Sequence, residues 1–235
     1  MNIALIVAGG SGTRTGNSVP KQFLTVNDIP IIVYTLMNLE QTEEIDRIAV
    51  VVASGWEPFV QAYAKQYRID KLTDVIQAGK TRHETIDNGL RHLSRQYPQD
   101  TKVLVVDANR PLIPKDVFRR AILAVKKEEC ALAVTPCYDT MYVSSDNAIV
   151  SERADRSVLF CGQTPECALL SDLIEVYDTA SSRGLEDPTA ALFLLCGKTV
   201  RKVEGSAKSF KITTQDDIEL FKAMVNHCKI QSNEV

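Results

Sequence analysis

Residues 3–23 read IALIVAGGSGTRTGNSVPKQF. The apolar run Ile3–Val7 has no polar position to mark a wet face, so it reads as a strand buried on both sides. It breaks into Gly9, Gly10 and Gly12, followed by Arg14 and Lys21. Ligands of open α/β sheets bind beyond the carboxyl ends of the strands, which is where this loop falls. Glycine lets backbone N–H groups come close to an anion. Arginine suits bidentate phosphate contact, and lysine acts as a compact point charge. Together Gly9, Gly10, Ser11, Gly12, Arg14 and Lys21 suit a triphosphate; the plainer alternative is a structural turn with two solvated cations. Two familiar phosphate loops do not fit. After Gly10-Ser11-Gly12 the next glycine, Gly16, falls one place late for the dinucleotide fingerprint, and Pro20-Lys21 stands where a P-loop needs Gly-Lys.

Outward from this stretch, strands alternate with helices. Arg47–Ala53, Asp74–Gln77, Lys102–Asp107, Ala131–Thr135, Thr199–Glu204 and Phe210–Thr213 read as strands. Helical spacing predicts Ile31–Leu39, Trp56–Tyr67, Thr85–Arg95, Lys115–Glu129, Leu169–Ser181, Thr189–Cys196 and Gln215–His227. The second helix is expected to bury Trp56, Phe59, Val60 and Tyr63, and the last to bury Ile218, Phe221, Ala223 and Val225. The alternation predicts an α/β fold: a doubly wound, mainly parallel, Rossmann-like sheet with helices on both faces. The segment Thr140–Phe160 breaks it with polar and apolar residues in alternation around Ser-Ser-Asp-Asn, a hairpin signal. The expected organisation is one domain over 1–228, a projecting β-arm around 137–160 and a frayed tail over 229–235.

Composition narrows the function classes. A chain of 235 residues, 45% hydrophobic, suffices for one well-buried domain. A net charge of -3 argues against a sequence-independent nucleic-acid binder, while leaving room for a local cationic site. There is no apolar run of ~18 residues to span a membrane. MNIALIVAGG lacks the basic start of a signal peptide, so a cytoplasmic location is expected. None of the six cysteines forms a Cys-x-x-Cys pair; they read as reduced thiols rather than zinc ligands.

A second constellation is Val105-Val-Asp-Ala-Asn-Arg-Pro111. Asp107 ends a buried strand at the ligand edge, where a carboxylate can hold Mg²⁺ beside substrate phosphates. The structural alternative is a turn residue paired with Arg110.

In order along the chain stand AGGSGTR…PKQF, Gly79-Lys-Thr-Arg82 with Thr85, Asp107-Ala-Asn-Arg-Pro111, Asp139-Thr140, Thr164-Pro165 and Lys211-Ile-Thr-Thr214. In these motifs the chain resembles the cytidylyltransferases that include 2-C-methyl-erythritol-4-phosphate cytidylyltransferase and ribitol-5-phosphate cytidylyltransferase. The resemblance runs from Ile3 to about Met224. It implies transfer of CMP from CTP to a polyol phosphate, giving a CDP-polyol and pyrophosphate, with Mg²⁺ or another divalent cation as cofactor. The pathway implied is isoprenoid or teichoic-acid and cell-wall synthesis. By the resemblance, Arg14, Lys21 and Lys211 are catalytic. Ala8, Gly9, Gly10, Ser11, Gly12, Gly79, Arg82, Thr85 and Asp107 bind the nucleotide, and Asp107 also serves the metal. Arg110, Thr140, Arg156, Thr164 and Asp187 bind the acceptor. Thr140 and Arg156 would act from the partner subunit's arm, which implies a homodimer through exchanged β-arms, with no nucleic-acid or membrane partner.

The chain departs from the pattern at Thr15, at Asn109 (Ala or Val is usual) and at Leu185-Glu-Asp-Pro188, where Pro188 must reshape an acceptor loop and Glu186 adds negative charge. Gly162-Gln-Thr-Pro165 favours the ribitol-phosphate branch. The rival readings are a different sugar-phosphate nucleotidyltransferase, a nicotinamide-dependent oxidoreductase and a non-catalytic nucleotide-binding relative.

Overall fold

In a computed structural model, residues 1–10, 19–146 and 148–233 are described, with side chains to His227. Strand β1 (Asn2–Ala8) lies between two parallel neighbours, β4 (Arg47–Val52) and β6 (Lys102–Asp107), with Val7 level with Val51 and Asp107. Beyond β4 comes β5 (Leu72–Gln77); beyond β6 come β10 (Phe160–Leu169), β7 (Glu129–Pro136) and β11 (Thr199–Glu204). The order is thus β11-β7-β10-β6-β1-β4-β5. Strands β1, β4 and β5 build outward in one direction while β6 lies on the other side of β1. The sheet therefore reverses its winding between β1 and β6, the place where such sheets bind ligands.

The period-two alternation of a strand sorts each buried run onto two faces. Ala4, Ile6, Val50, Val52, Leu104 and Val106 pack with α1 (Ile31–Glu40), α2 (Glu57–Tyr67) and α4 (Lys115–Ala124). Ile3, Leu5, Ala49, Val51, Val103 and Val105 pack with α3 (Arg82–Ser94), α5 (Leu170–Arg183) and α6 (Thr189–Leu195). Both faces are dry, which is why these strands read as unbroken apolar runs. In α3, a side chain on Gly89 would come within 2.7 Å of Leu5, so glycine allows this helix to lie close on the sheet. A hairpin, β2 (Thr25–Val26) and β3 (Ile29–Pro30), turns through Asn27 and Asp28, both at positive φ. It leads into α1 and joins a third cluster with α7 (Gln215–Asn233), centred on Phe221 and Ile212.

Several expectations need correction. Strand β10 reads as no strand in sequence, because Gly162 and Pro165 punctuate it and Glu166 interrupts its apolar half. It is the sheet's antiparallel member, paired with β6 and β7 and irregular between Gly162 and Glu166. Helix α4 stops at Ala124 rather than Glu129. The buried carboxylate of Asp172 on α5 accepts the Glu128 N–H at 2.7 Å, and Glu128 turns through positive φ into β7. Phe210–Thr213 forms no strand; its Ile212 bonds to the Asn109 turn instead. Phe59 and Ala223 are exposed, and Trp56 precedes α2, stacked on Phe23 at 3.9 Å. Helix α7 continues to Asn233, beyond the expected end at His227. The expected arm is present as β8 (Tyr142–Val143) and β9 (Glu152–Arg153), an exposed ladder standing off the sheet.

Candidate active site

A cavity of about 680 Å³ opens at the carboxyl ends of β1 and β6. Ala8, Gly9 and Gly10 line it from the first strand; Gly79 to Arg82 and Thr85 from the entry to α3; Asp107 and Asn109 from the end of β6; and Lys211 and Thr213 from the last loop. Lys21, Lys80, Arg82 and Lys211 face one carboxylate, that of Asp107. Among the described lining residues, positive charge is in excess in a partly desolvated cleft, which suits a polyanion.

The glycine loop is tied at both ends. The buried Gln22 amide nitrogen donates to the Ala8 carbonyl at 2.8 Å and to the Gly10 carbonyl at 3.0 Å. That brings the short 3-10 turn Lys21–Phe23 against the end of β1. The Lys21 ammonium donates to the Thr213 carbonyl. Ser11, Gly12 and Arg14 lie outside the described residues.

Helix α3 begins with a capping box: the Thr81 hydroxyl accepts the Glu84 N–H at 3.1 Å, and the Glu84 carboxylate accepts the Lys80 N–H at 2.6 Å. A side chain on Gly79 would meet Glu84 at 2.3 Å, so this approach needs glycine. The Thr85 hydroxyl donates to the Thr81 carbonyl at 2.7 Å. The first turn of α3 thereby brings Thr81, Arg82 and Thr85 to the cavity wall.

Asp107 is surrounded by cations. Lys211 and Arg110 reach its Oδ2 at 3.1 Å each, and Arg82 reaches Oδ1 at 3.6 Å. Burial pushes the carboxyl up, but Lys211, Arg82 and Arg110 outweigh it and hold it below its ordinary value, so it stays ionised. Arg82 also contacts Glu166 at 3.4 Å, and Glu166 accepts the Ala190 N–H at 2.8 Å at the start of α6. Burial raises the Glu166 carboxyl despite Arg82. The Arg82 Nη1 is buried and, among the described residues, has no acceptor.

The Lys211 loop is held by three separate groups. Asn109 donates its side-chain amide to the Ile212 carbonyl at 2.7 Å. Arg110 donates to the Ser209 carbonyl at 2.5 Å. Asp217, at the start of α7, accepts from the Thr213 N–H, the Thr213 hydroxyl and the Thr214 N–H at 2.7–2.8 Å.

Nine of the residues singled out in sequence therefore meet in this cavity: Ala8, Gly9, Gly10, Lys21, Gly79, Arg82, Thr85, Asp107 and Lys211. Arg110 and Thr164 stand behind it, Thr164 being buried with its hydroxyl accepting the Asp107 N–H at 3.3 Å. Asp187 and Glu186 are exposed ahead of α6, outside the lining. Thr140 and Arg156 are exposed on the arm, where Arg156 donates to the Tyr138 carbonyl at 2.5 Å. The sequence reading missed Gln22, Glu166 and Asp217. Glu166 carried no usable signal, because the strand that buries it is itself not legible in the sequence.

A doubly wound sheet whose switch-point cavity brings a glycine turn, three lysines and an arginine around an ionised aspartate suits a nucleotide polyphosphate, as the nucleotidyltransferase class of enzyme requires. Residues 2–227 match the family model IspD, 2-C-methyl-D-erythritol 4-phosphate cytidylyltransferase, and the chain belongs to that family. A ribitol-5-phosphate cytidylyltransferase of Vibrio parahaemolyticus serotype O3:K6 is 34% identical over 229 residues, covering 96% of each chain. A 2-C-methyl-D-erythritol 4-phosphate cytidylyltransferase of Syntrophus aciditrophicus is 32% identical over 227 residues, covering 95% of each. A crystal structure of 4-diphosphocytidyl-2C-methyl-D-erythritol synthase superposes with a TM-score of 0.81 at 24% identity, over 95% of this chain and 97% of that one, a likeness of fold. The chain is thus a cytidylyltransferase with the expected α/β fold, and among the described residues no helix is long and apolar enough to cross a membrane.

Proposed function

We propose that this cytidylyltransferase transfers CMP from CTP to ribitol 5-phosphate, with a divalent cation and as a homodimer. The observation that carries the reaction is the clustering of Lys21, Arg82 and Lys211 about one cavity with Asp107. The choice of acceptor is supported by the relative named for ribitol 5-phosphate and by the Gly162-Gln-Thr-Pro165 segment.

An acceptor phosphate oxygen attacks the α-phosphorus in line. A new P–O bond forms, the bond to the bridging oxygen breaks, and its electron pair leaves with pyrophosphate. Negative charge spreads over the pentacoordinate phosphorus and the leaving group. Fixed cations stabilise it at little reorganisation cost. Lys21 and Lys211 fill that role here, with Arg14 as the third group. The Gly9–Gly10 backbone and the first turn of α3 seat the nucleotide. Lys21 bonds only to a neutral carbonyl among the described residues, so its charge is available to phosphate.

The residues fit a Mg²⁺ that arrives with the nucleotide. Asp107 is an ionised oxygen donor at the wall, and Mg²⁺ is commonly held by one or two carboxylates plus substrate phosphates. The cation would supply Lewis-acid stabilisation of the phosphate charge.

Dimerisation is supported by the arm, which exposes Tyr138, Tyr142, Ile149, Val150 and Val158, too much apolar surface for an element standing in water. Light scattering should give twice the chain mass; a monomer at micromolar concentration would overturn the dimer.

A pyrophosphate-release assay with CTP and Mg²⁺ tests the activity against ribitol 5-phosphate, 2-C-methyl-D-erythritol 4-phosphate and related polyol phosphates. The highest kcat/KM is expected for ribitol 5-phosphate. A preference for methylerythritol phosphate would replace the acceptor, and no turnover with any of them would overturn the reading.

A further inference from the structure

Two cysteines that play no part in the proposed chemistry meet at the base of the arm. Cys137 follows β7, Cys161 lies at the start of β10, and their sulfurs are 3.3 Å apart. Backbone pairing brings them together: Pro136 is level with Phe160, Thr135 with Cys161, and the Cys137 N–H donates to the Leu159 carbonyl at 3.4 Å. Phe160 is further held under the Lys202 ammonium, 3.9 Å from its ring centre. Cys161 is exposed and Cys137 half-buried, so a small reagent can reach them.

We infer that Cys137 and Cys161 are a dithiol modification site that a low-molecular-weight disulfide oxidises to an intramolecular bond. The Cys161 thiolate attacks one sulfur of the reagent and expels the first thiolate. The Cys137 thiolate then attacks the Cys161 sulfur of the mixed disulfide and expels the second. Two protein thiols lose two electrons and two protons, and the reagent becomes two thiols. The sulfurs need to close by only about 1.3 Å to reach bonding distance.

The order follows from access and from the Cys137 thiol, which its contact with Cys161 pushes up from the ordinary value. Two of the other thiols, Cys130 and Cys167, are shielded from such a reagent. Burial pushes Cys167 up to about 12 and Cys130 well above the ordinary range, and both lie in the core. The bond would enclose residues 137–161 in a covalent ring and fix the root of the segment that carries Thr140 and Arg156.

The reduced full-length chain is incubated with oxidised glutathione, free thiols are alkylated, and the unreduced digest is analysed by mass spectrometry. The expected product is a peptide pair joining Cys137 to Cys161 in a chain that still runs as a single polypeptide on a denaturing, non-reducing gel, with Cys130 and Cys167 unmodified until denaturant is added. Dithiothreitol should reverse it. In Cys137→Ser the second step has no thiol, so a glutathione adduct should accumulate on Cys161. The proposal fails if the natural chain stops at that adduct with Cys137 alkylated, if the bond joins two chains, or if both thiols stay free. None of these readouts depends on the enzymatic activity.

Discussion

Asn109 and Ile212 hold each other in both directions: the Asn109 side-chain amide donates to the Ile212 carbonyl at 2.7 Å, and the Ile212 N–H donates to the Asn109 carbonyl at 2.9 Å. Asn109, in the turn after β6, thus fixes the loop that presents Lys211 to Asp107. The asparagine has a structural reason: Ala or Val could keep the backbone bond but not the side-chain one. Replacing Asn109 with Ala removes one hydrogen bond of about 1 kcal/mol. The expected result is a kcat/KM lower by about fivefold, the same free energy expressed as a rate. In a Lys211→Ala background the further loss should nearly vanish, because the two changes act through one group. Steady-state pyrophosphate release on the four proteins of the cycle checks this, and full additivity would refute it.

Lys21→Ala should leave a folded protein. The side chain lines the cavity and, among the described residues, gives up only its bond to the Thr213 carbonyl. Its kcat should fall by about 10²–10³, the usual cost of removing one preorganised group that stabilises transition-state charge. Melting temperature and kcat measured together separate this from misfolding; a rate within tenfold of normal would exclude the assigned role.

Asp217 links acidity to the closing helix. Burial pushes its carboxyl up, but the bonds from Thr213 and Thr214 prevail and bring it to about 2, against an ordinary 3.8. A depressed folded-state value means stability that is complete above the unfolded value and lost as pH falls through the window between 3.8 and about 2. The group is largely in solvent, so screening reduces the contribution to about 1 kcal/mol. Asp217→Asn should therefore melt lower than the natural protein at neutral pH, with the difference shrinking as pH drops toward 2. Thermal melts across that range decide it; a constant difference would contradict the linkage.

Glu166 separates two contributions. Glu166→Ala leaves Arg82 without one acidic partner and the Ala190 N–H without an acceptor, in a buried place. Breaking such a pair should cost about 3 kcal/mol in denaturant unfolding. Glu166→Gln can still accept from Ala190 and should recover about 1 kcal/mol of that. Equal losses for both variants would mean that the amide bond contributes nothing.

The parts of this molecule legible in the sequence are those decided within a few residues. The run Ile3–Val7 could be recognised because both its faces are dry, and Asp107 because a carboxylate ends such a run. Strand β10 was not legible because it is stabilised by neighbours distant in sequence, β6 and β7, despite Gly162 and Pro165. The expectation for α4 overshot because a residue on α5, Asp172, captures the Glu128 N–H, which local propensity cannot register. The site divides in the same way. Its glycines and cations stand in short motifs, whereas Gln22, Asn109, Glu166 and Asp217 act across 12 to 103 positions or through a helix start, and their partners emerge only on folding.

Strand β10 runs against its neighbours, and this single reversal governs where the excursion between β7 and β10 emerges. Strand β7 ends on the same rim as β1 and β6, so the chain must leave and re-enter the sheet on the side where the nucleotide cavity opens. Insertions or deletions there would alter the rim beside the cavity while the supporting frame kept its register. The border of the cavity can thus be edited in a peripheral ribbon without renegotiating the packing that holds Asp107 in place.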